Sequence, residues 1–547
     1  MSAPPPGPHP ARRAHGAWAL VALAVLLGAG LRAAGLATRS LWGDEIASLA
    51  FATGHEWMPR QPTLVHDTDH YRRAIRLEPG YFAQRLVAVA RTDTQAPLYY
   101  LLLTFWARLF GTSEAALRAL SLVASVATVP VLFLLGRRLA SPDVGVLAAF
   151  AFALAPFQVA FGQYNRPYAL LALLAAGATW ALVRLVEAPR RRWAAGYAAA
   201  GALGLYTHYF FVWTLVGHAL IVLAVARRRP GVRAPWLLAQ VGIGLALAPW
   251  VPSILAQVRW VREADVPTWF YWHAGALGLP EAVLLTGRNL VLLLAPGRVR
   301  GLCGPVPTCV ADRVATWALY LGAAALLGLA AAALVRRLRA GPPTRGPDTW
   351  TVVVPWAGAI LAGPLAVDLV LGSHAGAVHR YAVAAGPPVA LGVAAGLVAI
   401  GPRGARGLAI AAAGVVLLAG SVLHLGGLAH TLLPPQDVRA AARYLDAAGA
   451  DGELIVVLDP LPHPLDFAYY LRTNPRFARI RLPGRGATAG IPAQLALVTR
   501  GRAQLWLVDD HGPEVEARAA VRAWLRAHYR EATVHAVPGL TVVHFVR

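Results

Sequence analysis

The 547-residue sequence has no lysine, two cysteines and two methionines, and only 14% of its residues are charged. Soluble chains carry roughly 25% charged residues, so there is too little charge here to clothe the several soluble domains that such a length would otherwise predict. Two cysteines are too few for a disulfide-dense secreted scaffold, and a hydrophobic content of 57% excludes a disordered chain. No glycine-rich phosphate loop of nucleotide-binding spacing is present. Without lysine, all 50 basic residues are arginine, against 27 acidic ones, for a net charge of +23. In a soluble protein that excess would point to nucleic acid. Here the arginines fall in short clusters between apolar stretches, the mark of cytoplasmic loops, and no nucleic-acid partner is expected. Arginine without lysine, with abundant Ala, Gly and Pro, fits a GC-rich bacterial genome.

What the sequence does have is apolar length, with a mean hydropathy of +0.52. Runs of about 20 residues predict a polytopic all-α transmembrane bundle in a lipid bilayer. The runs are Ala17–Leu36, Ala115–Leu135, Val144–Phe161, Pro167–Val186, Trp193–Tyr206, Phe210–Ala226, Pro235–Leu255, Ala315–Val335, Thr351–Leu371, Tyr381–Ile400 and Leu408–Leu425, about eleven spans in all. Pro97–Phe110, at about 14 residues, is short for a span and reads as a re-entrant or interfacial helix. If it does not cross, the clusters Arg137-Arg138, Arg190–Arg192, Arg227–Arg229, Arg336-Arg337-Arg339 and Arg403/Arg406 share the side of Arg12 and Arg13. The positive-inside rule then places the N-terminus in the cytoplasm of a multi-pass bacterial inner-membrane protein. The loops 38–95 and 257–312, and everything after about Gly426, lie outside. The N-terminal apolar stretch reads as a retained anchor.

Residues 1–430 are thus expected to form the transmembrane domain, and 431–547 a small extracytoplasmic α/β domain. In the latter, Asp437 caps a helix through Leu445, Glu453–Leu458 and Ala503–Val508 read as strands, Leu465–Leu471 and Val515–His528 as helices, and Thr533–Phe545 as a final strand pair. No chemistry is assigned to it. Cys303 and Cys309, in CGPVPTC, lie in the second outside loop, where an oxidising compartment permits a disulfide.

Four polar groups stand at the outer ends of the spans. Asp44-Glu45 follows the first span. The pair reads either as a helix-start dipole contact or as a carboxylate that takes a proton from a hydroxyl or, with its neighbour, holds a divalent metal. Thr94–Tyr100, at the mouth of the re-entrant helix, reads as an aromatic belt. Gln163-Tyr164-Asn165-Arg166-Pro167-Tyr168 and His379-Arg380-Tyr381 each set an arginine on the outside, joined by His208-Tyr209 at an outside turn. Such an arginine either snorkels or holds a phosphate. The string His66, Asp67, Asp69, His70 reads as solvated rather than metal-binding.

The order of these motifs carries a resemblance: an acidic pair after the first span, PLYYLLL, LFGTSEAALRALS, GRRLA, GQYNRPYALLALL, LYTHYFFV, and a late RY before a Pro-Pro span. Over roughly the first 430 residues the chain resembles bacterial polyprenyl-phosphate-sugar-dependent glycosyltransferases of the dolichyl-phosphate-mannose–protein mannosyltransferase group, including aminoarabinose-type transferases. The resemblance implies Asp44 at the family's acidic catalytic position, as the base, with Glu45 beside it, and Arg166 and Arg380 at the donor phosphate. It also implies Gln163, Tyr164, Tyr168, His208 and Tyr381 as further site residues. The implied reaction moves a sugar from a polyprenyl-phosphate donor to an envelope lipid, glycan or protein acceptor, with inversion. It names no certain cofactor, a divalent metal at Asp44 and Glu45 being the one alternative. Gln95-Ala96-Pro97 stands where His-Pro-Pro is commoner, and the usual acid of the arginine segment is replaced by Tyr164 or Asn165.

Two rival functions make different demands on the sequence. A transporter or lipid-linked-sugar flippase would place coupling charges near the bilayer midplane on repeated halves. No internal repeat is evident, and the best intramembrane acid, Asp368, lies near an outside end. An adaptor would not need so many spans.

Overall fold

The computed structural model describes residues 10–55, 65–77, 87–88, 94–263, 278–300, 302–303, 309–341, 347–371, 376, 378–428, 436–459, 463–482, 488–510 and 515–547. It divides into two compact units. The first comprises Met1–Gly35, Arg118–Pro252 and Thr268–Leu432; the second comprises Leu36–Leu117, Ser253–Pro267 and Leu433–Arg547.

All eleven apolar segments are helical. Eight described helices are long and apolar enough to cross a membrane. A ninth span results if Pro142–Leu154 and Pro156–Gly162, bent by 61° at their junction, count as one. The remaining two of the expected eleven, Arg191–Thr207 and Phe211–Ala226, are helices of only 17 and 16 residues. Another short apolar helix, like Phe211–Ala226, is Leu98–Phe110, which occupies the segment expected to be re-entrant or interfacial. Within the stretch expected to be the second outside loop, Leu279–Leu292 is also helical.

The bend at Ala155 explains a residue that the sequence reading passed over. Pro156 has no N–H to continue the ladder, so carbonyls before it lose their helical partners. Arg32, fully buried on the first helix, donates to the carbonyls of Ala153 (2.8 Å) and Phe152 (3.3 Å), to its own helix at Gly28, and to Ser125 Oγ. Ser421 Oγ donates to the carbonyl of Leu154 at 2.7 Å. Apolar surroundings make an unsatisfied carbonyl costly, and these donors let the helix break where the chain must turn into the Gln163–Pro167 segment. Elsewhere in this unit small residues let backbones touch, as in other membrane bundles. A Cβ at Gly217 would lie 2.8 Å from Pro355 O, and one at Gly396 would lie 2.7 Å from Ala330 N.

The second unit is built around a six-stranded sheet of order β1-β3-β2-β4-β6-β5, where β1 is His66–Asp67, β2 Leu454–Asp459, β3 Arg476–Arg481, β4 Gln504–Asp509, β5 Arg530–Val537 and β6 Leu540–Val546. β2 is parallel to β3 and β4, whereas β6 runs antiparallel to β4 and β5 antiparallel to β6. Along β2, Leu454, Val456 and Leu458 face one core with Leu495, Val521 and Leu525 of the covering helices, while Ile455 and Val457 are buried on the other face. Burial on both faces explains the continuous apolar run of a parallel strand. β3 was not expected, because Arg-Phe-Ala-Arg-Ile-Arg lacks the β-branched signature. β1 was not expected either: two residues from the first loop join the edge of β3, and Thr68 Oγ1 adds a bond to Pro475 O.

Candidate active site

In the first unit the chain leaves the bent helix at Gly162 and re-enters a helix at Tyr168. The intervening turn carries Arg166, which is 5% exposed. Its amide donates to Tyr164 O and its carbonyl accepts from Ser121 Oγ at 3.1 Å, so the backbone of the turn is held from two sides. Arg380 lies in the 3-10 helix His379–Ala385, its guanidinium 6.0 Å from the Tyr381 ring centroid. His208 terminates the helix Arg191–Thr207, with Nδ1 accepting from Phe210 N at 3.1 Å. Its ring lies 5.7 Å from both Tyr168 and Tyr381, and Tyr381 packs edge-on against Phe210 at 4.3 Å. Tyr164 and Tyr168 both contact the Phe161 ring. The structure therefore gathers Arg166, Tyr168, Arg380 and Tyr381 around the His208 imidazole.

The electrostatics of that imidazole report the site's sign. Desolvation among the rings, then the charges of Arg166 and Arg380, push the His208 pKa down to about 3. Burial alone would favour the neutral ring, and the further lowering by Arg166 and Arg380 marks positive potential inside a wall of aromatic rings. An anion placed there gains from both arginines, and an arginine holds phosphate by paired, charge-assisted N–H bonds. Gln163 has a different placement: its amide nitrogen donates to the carbonyls of Leu31, Arg32 and Ala34, tying the turn to the end of the first helix. Asp368 is fully buried and accepts from Gly376 N at 2.6 Å, with Asn289 donating to Gly376 O, so it anchors a connection. Cys303 and Cys309 form a disulfide before the helix Val310–Arg339.

In the second unit, Asp44 and Glu45 stand in the first turn of the helix Gly43–Ala52, after Trp42 in an extended N-cap conformation. Their charge suits the helix dipole. Glu45 is fully buried and Asp44 half-buried, which leaves Asp44 the more open to a reactant. Adjacent helical residues do not face each other, and among the described residues no three His, Cys, Asp or Glu side chains gather as a metal site. As adjacent helical residues, Asp44 and Glu45 do not form a paired ligand set for one ion. His66, Asp67, Asp69 and His70 are engaged locally: Asp67 caps the helix Thr68–Ala74 through His70 N, and Asp69 pairs with Arg72.

The residue that the sequence reading missed in this unit is Asp466. It is fully buried as the third residue of the helix Pro464–Tyr470. Oδ2 accepts from His463 N at 3.0 Å, while buried Oδ1 has no hydrogen-bond partner among the described residues. Burial raises its pKa, and the charge of Asp44 raises it further, to about 7. The sequence HPLD offers only the pattern of a capping box, in which the acid serves its own helix.

With this geometry in place, comparison with known proteins is informative. A family model described as dolichyl-phosphate-mannose-protein mannosyltransferase matches residues 94–255. No curated protein matches the chain. Among solved structures, ArnT from Cupriavidus metallidurans bound to undecaprenyl phosphate aligns with a TM-score of 0.53 at 14% identity, covering 96% of this chain and 97% of that one. The oligosaccharyltransferase AglB from Archaeoglobus fulgidus, in complex with an inhibitory peptide and a dolichol-phosphate, aligns at 0.54 and 13% identity over 97% of this chain and 74% of its own. The resemblance drawn from the sequence is borne out, and the fold is that of these integral-membrane transferases. The matched segment includes Gln163–Tyr168 and His208 but neither Asp44 nor Arg380.

Proposed function

We propose that the protein is a membrane glycosyltransferase that takes a sugar from a polyprenyl-phosphate donor and delivers it to a hydroxyl or comparable nucleophile of an envelope lipid, glycan or protein, at the outer face of the inner membrane. The observation that carries this reading is the pair Arg166 and Arg380 bearing on one neutral, ring-walled histidine. ArnT and AglB have been solved with a prenyl phosphate bound, and they share this chain's fold.

In this reading the acceptor oxygen bonds to the anomeric carbon as the bond from that carbon to the phosphate oxygen breaks. The electron pair leaves with the prenyl phosphate, whose growing negative charge Arg166 and Arg380 stabilise. The acceptor's proton passes to a carboxylate, and Asp44 is assigned that role. Attack opposite the departing phosphate inverts the anomeric configuration. Neutral His208, with Nδ1 accepting from Phe210 N, presents Nε2–H as a donor without adding a third cation. Tyr164, Tyr168 and Tyr381 supply apolar walls that exclude water. Gln163 is assigned to holding the turn. Glu45, being buried, is assigned a supporting place beside Asp44.

Mass spectrometry of envelope lipids and glycans from cells with and without the gene tests the reading. A single added sugar lost with the gene supports it. An unchanged envelope, with the lipid-linked sugar accumulating on the cytoplasmic side instead, would favour a flippase.

A further inference from the structure

We propose that the C-terminal domain acts as a clamp on the Asp44 helix, with Tyr470 and Arg439 as its positioning residues. The inference deepens the reading of Asp44 as the base and rests on it. The chain that feeds Asp44 into its helix is a short irregular segment with no ladder of its own, and residues of the C-terminal domain tie it at successive positions. Arg439 donates to the carbonyls of Ala37 (3.0 Å) and Arg39 (3.2 Å). Ser40 Oγ donates to Gln436 O at 2.9 Å. Leu41 N donates to the hydroxyl of Tyr470, three residues before Asp44. Glu114 closes the set, accepting from both Arg439 and the Tyr470 hydroxyl.

Leu41 is fully buried, so its amide depends on Tyr470 for satisfaction. All three bonds come from Arg439 Nη2, one bond farther from the backbone than a lysine Nζ reaches, and the guanidinium also lies 5.8 Å from the Tyr470 ring centroid, so lysine falls short of the set. The helix Pro464–Tyr470 that carries Tyr470 also packs against the helix Gly43–Ala52 that carries Asp44. On the same short helix Asp466 is near enough for the Asp44 charge to act on it. One element thus fixes both the approach to the base and its surroundings. Catalytic groups lose rate steeply when displaced by even an ångström, which gives the clamp a kinetic consequence.

The test compares wild type, Tyr470→Phe, Arg439→Lys and Asp44→Asn as full-length chains. Three quantities are read: donor KM and kcat, melting temperature, and amide hydrogen exchange by mass spectrometry. Tyr470→Phe removes one hydroxyl and keeps the ring. It is expected to lower kcat about tenfold with donor KM unchanged, and to speed exchange in peptides spanning 41–52 while β2 stays protected. Arg439→Lys should move the same readouts in the same direction. Wild-type kcat and wild-type exchange at 41–52 would overturn the clamp, as would faster exchange there with kcat intact. Loss of kcat accompanied by faster exchange throughout the sheet would also overturn it, since that is general unfolding. Failure of the underlying reading looks different: Asp44→Asn itself would then transfer sugar at the wild-type rate.

Discussion

In the first unit a histidine, His208, is held neutral by burial and then by two arginines; in the second an aspartate, Asp466, is held toward its protonated form by burial and then by a second aspartate. Both groups are ordinary in sequence and both are displaced from their usual titration, but in opposite electrostatic settings. The first setting favours an incoming anion. The second resists a further negative charge and favours a proton arriving beside Asp44. On the proposed function, a transfer that expels a phosphate and takes a proton from an acceptor calls for one setting of each kind.

The sharpest way to break the comparison is to remove the carboxylate. Asp44→Asn preserves shape and is expected to lower kcat by about a thousandfold, within the range of a lost general base, while insertion and melting temperature stay near wild type. Glu45→Gln should cost less, since the buried neighbour touches no reactant in this reading. A transfer assay with purified protein and a lipid-linked sugar decides it, and near wild-type turnover by Asp44→Asn would remove the assignment.

Next in size are the arginines. Arg166→Lys and Arg380→Lys keep the charge but lose the paired N–H geometry, and each is expected to cost about ten- to a hundredfold in kcat/KM for the donor. If the contact holds throughout the reaction the loss appears in KM; if it tightens as the phosphate leaves, it appears in kcat. A snorkelling arginine predicts no change, because lysine reaches the interface equally well.

The two settings were not equally legible in the sequence. Arg166, His208 and Arg380 stand at the ends of long apolar runs, and on the topology expected from the sequence the two arginines run against the positive-inside bias, so each residue was visible before the fold was known. Their convergence on a single imidazole depends on three separate turns and could not be read from spacing. Arg32 was hidden inside a span whose apolar length masked it, and its role appears only with the break at Ala155. The C-terminal sheet was largely legible because β2 and β4 are dense in branched apolar residues. β3, with three arginines in six residues, was not. Asp466 and Tyr470 carried no signal beyond the helix expected at Leu465–Leu471, since what gives them meaning is the segment 37–44, some four hundred positions away in sequence.

The smallest expected effect sets the two buried groups against each other as slopes of stability with pH. His208 titrates at about 3 in the folded chain against 6.5 unfolded, so between those values the unfolded chain binds a proton that the folded chain refuses. Its contribution to stability therefore rises with pH across that window and is complete above 6.5. Asp466 titrates at about 7 folded against 3.8 unfolded, so the folded chain retains a proton that the unfolded chain has lost. Its contribution falls with rising pH through that window. Each slope is about 1.4 kcal/mol per pH unit at most, and because the signs oppose, wild-type stability between pH 4.5 and 6 should be nearly flat with respect to these two groups. His208→Gln removes the rising slope and should leave a protein that weakens as pH increases. Asp466→Asn removes the falling slope and should leave one that weakens as pH decreases. Denaturation of the purified variants in detergent at a series of pH values reads both. Inorganic phosphate sharpens the test: an anion held by Arg166 and Arg380 offsets their charge, raises the His208 pKa, and should shallow the acid-side slope of Asp466→Asn while leaving that of His208→Gln unchanged. Phosphate that altered both variants alike would be acting as bulk salt, and the assignment of the two arginines to the donor phosphate would lose its support.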